Sequence, residues 1–215
     1  SDFKVYIFPL LFFKRISDEH YEEFQLALEE SDGDADYASL PEFHRFEIPE
    51  GCHWQDVRET TSNVGLKIES AFRGIEQANQ DLLYGIFGDA QWSNKERLSD
   101  ALLIDLIEHF SQYNLSNKNV HSDILGQAYE YLIKHFADLV NKKAGEFYTP
   151  RSVVHLMGLI LDPQEGDSIY DPACGTGGMF LECVSLARES NKDYRTLSIF
   201  GQEKNLTSST IARMN

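Results

Sequence analysis

The string Asp171-Pro-Ala-Cys-Gly-Thr-Gly-Gly178 constrains most tightly what this chain can fold into. Ser168-Ile-Tyr170 before it reads as a short apolar strand, and Met179–Glu189 after it as a helix. A strand ending at Asp171 and a helix beginning near Gly178 leave the intervening residues to turn the backbone sharply. Gly175 and Gly177 permit that turn, and a close approach by a ligand, because they carry no Cβ. Free amides at the start of the helix favour a negatively charged or polar ligand group. A second strand is expected over Leu197–Phe200, then Gly201-Gln-Glu203, and another helix starts over Ser208–Met214. Strand, helix, strand, helix in this order opens a parallel α/β sheet, and such sheets bind ligands at the carboxyl ends of their strands.

The loop also narrows the ligand. A dinucleotide fingerprint needs Gly-x-Gly-x-x-Gly/Ala, whereas Phe180 stands at the third position, where it would hinder close helix–strand packing. The Gly-Lys-Ser/Thr of a Walker A loop is absent. Nicotinamide cofactors and triphosphates therefore fit poorly. Glu203, at the end of the second strand, can accept both ribose hydroxyls of an adenosine. Plainer readings stand beside these: a solvated loop acid for Glu203, and an ordinary tight turn for the glycines. The full Asp-Pro-x-x-Gly-x-Gly-Gly string is far more specific than a glycine pair. Cys174 reads as a small residue in a crowded turn and not as a nucleophile, since no paired histidine is evident.

Upstream, the periodicity is helical. Val5–Leu28 spaces Leu10, Phe13, Ile16, Tyr21, Phe24 and Leu28 by roughly three to four residues, with Pro9 marking a kink or a start. Glu29–Asp36 is an acidic loop without the closing Glu of a calcium hand. Asp56–Gln80 looks like one helix. Leu98–Phe110 is the clearest amphipathic stretch, with Leu98, Ala101, Leu102, Ile104, Leu106, Ile107 and Phe110 apolar. Asn119 or Ser122 could cap a further helix over Asp123–Val140. Lys142-Lys-Ala-Gly145 is a polar break, after which Ser152–Leu161 reads as a helix ended by Asp162-Pro163 and Gly166. The expected domains are a helical one over 1–143 and the start of an α/β one over 144–215.

Composition sets outer limits. A chain of 215 residues with 42% hydrophobic content can form a packed core in one or two domains. The net charge of −16 argues against strong DNA affinity by this chain alone, although not against a local patch or a basic partner. Cys52, Cys174 and Cys183 are odd in number and form no Cys-x-x-Cys. The seven histidines form no His-Glu-x-x-His, so neither a disulfide framework nor a metal site is expected. A reduced, cytoplasmic protein is the natural reading. No apolar run reaches the roughly 18–20 residues of a membrane span. Phe3–Phe13, interrupted by Lys4 and followed by Lys14-Arg15, reads as buried helix and not as a signal peptide.

Three segments in this order resemble the modification (methyltransferase) subunits of type I restriction–modification systems. Gly145-Glu-Phe-Tyr-Thr-Pro-Arg151 is similar to the family's Phe-Tyr-Thr-Pro motif, Asp171–Met179 to its cofactor loop, and Gly201-Gln-Glu203 to its ribose-binding acid. Weaker matches are Leu10–Asp18, like the first helix of the family's helical domain, and His121–Tyr131. The resemblance implies an α-helical N-terminal domain followed by the start of a Rossmann-like methyltransferase domain. It also implies N6-adenine methylation of DNA with S-adenosylmethionine. On this reading Glu146, Phe147, Tyr148, Thr149, Pro150 and Arg151 wrap one side of the cofactor. Gly175, Thr176, Gly177 and Gly178 form the loop that approaches its methionine part, Asp171 orders the loop or reaches the amino group, and Glu203 holds the ribose. Tyr148-Thr149-Pro150 has a plain reading too, as a helix entry. Implied partners are a specificity subunit, a restriction subunit of the same system, and DNA, with the helical domain as a docking and DNA-clamping element.

The family's catalytic Asn-Pro-Pro-Phe/Tyr, which grips a flipped-out adenine, does not occur here, so no catalytic residue is assigned. Only 44 residues follow Asp171, room for two strands and their helices. The sheet is expected to be incomplete, with an exposed edge prone to misfolding, and the chain alone to bind cofactor weakly and transfer nothing. A methyltransferase acting on RNA or protein, and a non-catalytic interaction module, remain the alternatives.

Overall fold

The computed structural model describes residues 4–120, 126, 128, 131 and 149–215. Its contacts divide the chain into two compact units, residues 2–120 and 121–215. The boundary expected at 143 lies outside the described residues. So does most of the helix expected over Asp123–Val140, although Gly126, Ala128 and Tyr131 are helical.

In the first unit, α1 (Lys4–Glu30) runs through Pro9 without stopping, and the acidic loop shrinks to residues 31–34 before a one-turn helix α2 (Ala35–Ala38). Phe12, Phe13 and Ile16 of α1 are buried. Phe13 meets Trp54 and Phe72 at 5.2 and 5.5 Å between ring centroids, and Phe72 stacks on Phe87 at 4.0 Å. This aromatic cluster forms much of the unit's core, each ring removing a large apolar area from water. Charged residues on the same helix are also buried. Arg15 donates to the Leu115 carbonyl at 2.8 Å and to Asn117 Oδ1 at 2.9 Å, and pairs with Glu19 at 2.8 Å. Asp18 accepts from Lys14 and from the Leu115 amide.

The single helix expected over Asp56–Gln80 is three: α3 (Trp54–Arg58), α4 (Val64–Ala78) and α5 (Gln80–Leu83). The break is chemical. Thr60 turns its hydroxyl back to the Asp56 carbonyl, and Asn63 takes a left-handed φ of 53°. The Asp100 carboxylate then accepts the Asn63 and Val64 amides at 3.0 Å each, capping α4 from a distant part of the chain. Helix α6 (Asp100–Ser111), capped by Ser99, buries Leu103 and Ile107, while Ala101 and Leu102 are exposed, so its inner face is rotated from the one expected.

The second unit follows the expected order. Helix α7 (Arg151–Leu161) ends where Asp162 adopts a φ of 42°. Strand β1 (Ser168–Asp171) pairs in parallel with β2 (Ser198–Gly201), with Asp171 opposite Gly201. Helix α8 (Gly178–Glu189) joins them, and α9 (Leu206–Met214) follows β2. Helix α7 packs on α8 through Gly158, where a Cβ would lie 2.6 Å from Leu186 Cδ1, and through a 2.6 Å His155–Glu182 pair. All four positions of β2 are exposed. Among the described residues, no helix is long and apolar enough to cross a membrane.

A candidate ligand site at the glycine loop

The parallel register brings the carboxyl ends of β1 and β2 side by side, and pairing continues past both strands. The Gln202 amide donates to the Asp171 carbonyl, and the Cys174 amide to the Gln202 carbonyl, both at 2.9 Å. Asp171 Oδ1 accepts the Ala173 amide at 2.9 Å, which orders the start of the loop as an Asx turn. Gly175 and Gly177 have φ of 57° and 83°, left-handed values that an L side chain adopts only with strain. Gly177 caps α8 at its N-terminus, and a Cβ there would touch Ala212 of α9 at 3.5 Å.

Glu203 closes the arrangement. Its Oε2 accepts the Gly175 amide at 2.9 Å and its Oε1 accepts the Asn205 amide at 2.7 Å. Each carboxylate oxygen has a second lone-pair site, so these bonds leave acceptor capacity for hydroxyl groups. The Thr176, Gly178 and Met179 amides have no acceptor among the described residues. Thr176 is 4% exposed and its Oγ1 has no partner there, while its carbonyl accepts from Asn215 Nδ2 at 2.9 Å. Unpaired donors at the mouth of a helix form a local positive field suited to an anionic group.

Of the residues singled out from sequence, Asp171, Gly175, Thr176, Gly177, Gly178 and Glu203 share this one loop cluster. Glu146, Phe147 and Tyr148 lie outside the described residues. Thr149 and Pro150 are exposed and lead into α7, where the Pro150 carbonyl accepts the Val153 and Val154 amides, and Arg151 is the first residue of that helix. Burial, with Asp171 and Glu203 close by, raises the Cys174 thiol above its ordinary value, the opposite of what a nucleophile needs. No group of three metal-ligating side chains occurs among the described residues.

Phe180 does not hold the helix off the sheet. A Cβ on Gly201 would lie 2.9 Å from its ring and 2.9 Å from Cys174 Sγ, so the bulk in the helix is matched by a glycine in the strand. That pairing is not legible from the loop motif alone. Its only signal is a glycine at a strand end, a position that often marks close approach.

Two family descriptions match the chain: HsdM N-terminal domain over residues 1–110 and N-6 DNA Methylase over residues 120–215. The chain is 32% identical to the type I restriction enzyme HindI methylase subunit of Haemophilus influenzae, over 78% of this chain and 42% of that one. It is 34% identical to the EcoEI methylase subunit of Escherichia coli, over 69% and 29% respectively. The chain thus spans less than half the length of these curated relatives. A crystal structure of a type I restriction–modification methyltransferase subunit from Streptococcus thermophilus superimposes with a TM-score of 0.71 at 26% identity, over 99% of this chain and 50% of that one. A modification subunit of a type I restriction enzyme from Vibrio vulnificus shares the fold at 22% identity, with a TM-score of 0.58 over 97% and 47%.

Proposed function

The chain belongs to the family of type I restriction-enzyme methylase subunits, and on that premise we propose that the protein methylates the N6 amino group of adenine in DNA with S-adenosylmethionine. The observation that carries the cofactor assignment is the hydrogen bond from the Gly175 amide to Glu203. It gathers the glycine loop and the strand-end acid at one edge of the sheet, at the carboxyl ends of its strands.

The residues fit that cofactor. The Thr176, Gly178 and Met179 amides would receive its carboxylate, and the Glu203 carboxylate its ribose hydroxyls. Asp171 would hold the loop in its open turn. By the family resemblance, Glu146 to Arg151 would flank the cofactor, with Thr149 and Pro150 leading into α7. Bound there, S-adenosylmethionine supplies a methyl group on a cationic sulfur. The tasks of this chain are binding and orientation, and no residue described here takes the proton released from the amine. No Asn-Pro-Pro-Phe or Asn-Pro-Pro-Tyr string occurs among these 215 residues, so in this reading they carry the cofactor-binding half of that activity and transfer no methyl group by themselves. In the assembled enzyme a specificity subunit reads the DNA, a restriction subunit completes the system, and the helical unit serves docking. A cytoplasmic location is part of this reading.

Calorimetric titration of the full-length protein with S-adenosylmethionine tests this. We expect saturable binding that Gly177→Val abolishes, since left-handed backbone and the Ala212 contact both resist a branched side chain. We expect Glu203→Ala to weaken it by about tenfold or more, the worth of a charged hydrogen bond. A folded full-length protein that shows no saturable binding would end the assignment.

A further inference from the structure

We infer that Gly201 is a positioning residue of the cofactor site, the seat on which the glycine loop and the start of α8 rest. The inference builds on the cofactor reading above. Gly201 ends β2, opposite Asp171. Two groups descend onto its backbone from different elements: the Cys174 sulfur from the loop and the Phe180 ring from the first turn of α8. Each lies 2.9 Å from where a Cβ would stand, and Phe180 Cζ lies at 3.2 Å. Ordinary carbon contacts are about 3.5–4.0 Å, so a methyl group there must displace both side-chain ends by about half an ångström or more.

The lift would be felt two residues later. Glu203 is fixed to the end of β2, and its Oε2 accepts from Gly175, the neighbour of Cys174. The Cys174 amide is itself held by the Gln202 carbonyl at 2.9 Å. Both close groups are side-chain ends on half-buried residues, so only the part of the shift that rotation of the Cys174 sulfur and the Phe180 ring does not absorb reaches the backbone, and there it strains both bonds between loop and strand. Hydrogen bonds of this kind usually span about 2.7–3.2 Å and weaken steeply as the angle at hydrogen falls below about 120°. Gly201 so fixes how far the loop amides stand from the acid, without itself being placed against the ligand. It also accommodates the bulky Phe180 where a dinucleotide-binding loop needs a small residue.

Three variants of the full-length protein test the seat. Gly201→Ala overfills it. Cys174→Ala with Phe180→Leu empties it. All three substitutions together refill it with the alanine methyl. We read amide exchange at Gly175 without cofactor, affinity for S-adenosylmethionine, and the melting temperature. Gly201→Ala should speed exchange at Gly175 and weaken binding by about tenfold to a hundredfold, the range that overpacking a filled site costs. The emptied variant should also exchange faster, and the triple variant should restore both readouts to within about threefold of wild type, the non-additivity expected of touching residues. Wild-type exchange and affinity in Gly201→Ala would overturn the inference, as would a folded triple variant no better protected than the emptied one. Should Gly201→Ala fail to fold, the emptied and triple variants decide alone. Absence of binding by the wild type would instead overturn the cofactor reading, since the exchange test needs no cofactor.

Discussion

Gly65, in the first turn of α4, lies so close to the chain at Trp92 that a Cβ would stand 2.0 Å from the Trp92 carbonyl oxygen and 3.1 Å from Ser93 Cα. Both neighbours are backbone, and Trp92 is itself only 2% exposed, so neither can swing aside. Gly65→Ala should therefore destabilise the helical unit by about 1–3 kcal/mol or more, as overpacking in a filled core does, read from a urea denaturation midpoint. An unchanged midpoint would show that the two segments part easily. Nothing in the sequence around Gly65 announces this, because its partner lies 27 positions away. Glu203 is the opposite case. Its type and place at a strand end made it visible as a ligand residue. Its two backbone hydrogen bonds, to Gly175 and Asn205, became visible only once the loop was folded beside it.

Elements whose signals are local were legible, and those ended by distant partners were not. Helices α7, α8 and α9 and strands β1 and β2 each fall within a residue or two of where periodicity and punctuation put them. The α3–α4 break was overrun by an apolar period that continues through it, although Thr60-Thr61-Ser62-Asn63 is a loop-forming cluster. The carboxylate that stabilises the break comes from Asp100. A junction of three histidines was likewise invisible, since its members are scattered in sequence. His20 of α1 stacks on His44 at 3.9 Å and meets His53, ahead of α3, at 5.4 Å. Glu23 lies 3.5 Å from His44, and the Asp56 carboxylate accepts the His53 amide. Burial, reinforced by the other two rings, pushes His20 from an ordinary 6.5 down to about 4, and burial lowers His53 as well. A base held neutral by folding stabilises the protein fully above its unfolded value. That stability is lost as pH falls from about 6.5 towards 4. Burial raises Glu19 and Glu23, which act in the opposite sense and soften the loss. His20→Gln should flatten the fall of melting temperature across this window. A variant with the wild-type slope would assign the acid sensitivity to other groups.

The charge of the whole molecule is unevenly shared. Residues 1–120 carry 23 acidic and 10 basic side chains, whereas residues 121–215 carry 12 and 9. An acidic helical unit favours the docking half of its proposed role over DNA clamping, because a phosphate backbone repels it. This chain without partners should bind duplex DNA more weakly than about 10⁻⁴ M at physiological salt, below ordinary non-specific binders. Fluorescence anisotropy showing tighter, steeply salt-dependent binding would contradict that reading. The same unit carries a consequence for its birth. Beside their local partners Glu19 and Lys14, the Arg15 guanidinium donates to Leu115 and Asn117 and Asp18 accepts from the Leu115 amide, partners about a hundred positions downstream. A ribosome adding roughly 5–20 residues each second needs about 5–20 s to deliver them. For that interval α1 waits for these partners, and a nascent-chain arrest before Leu115 should leave it open to a protease.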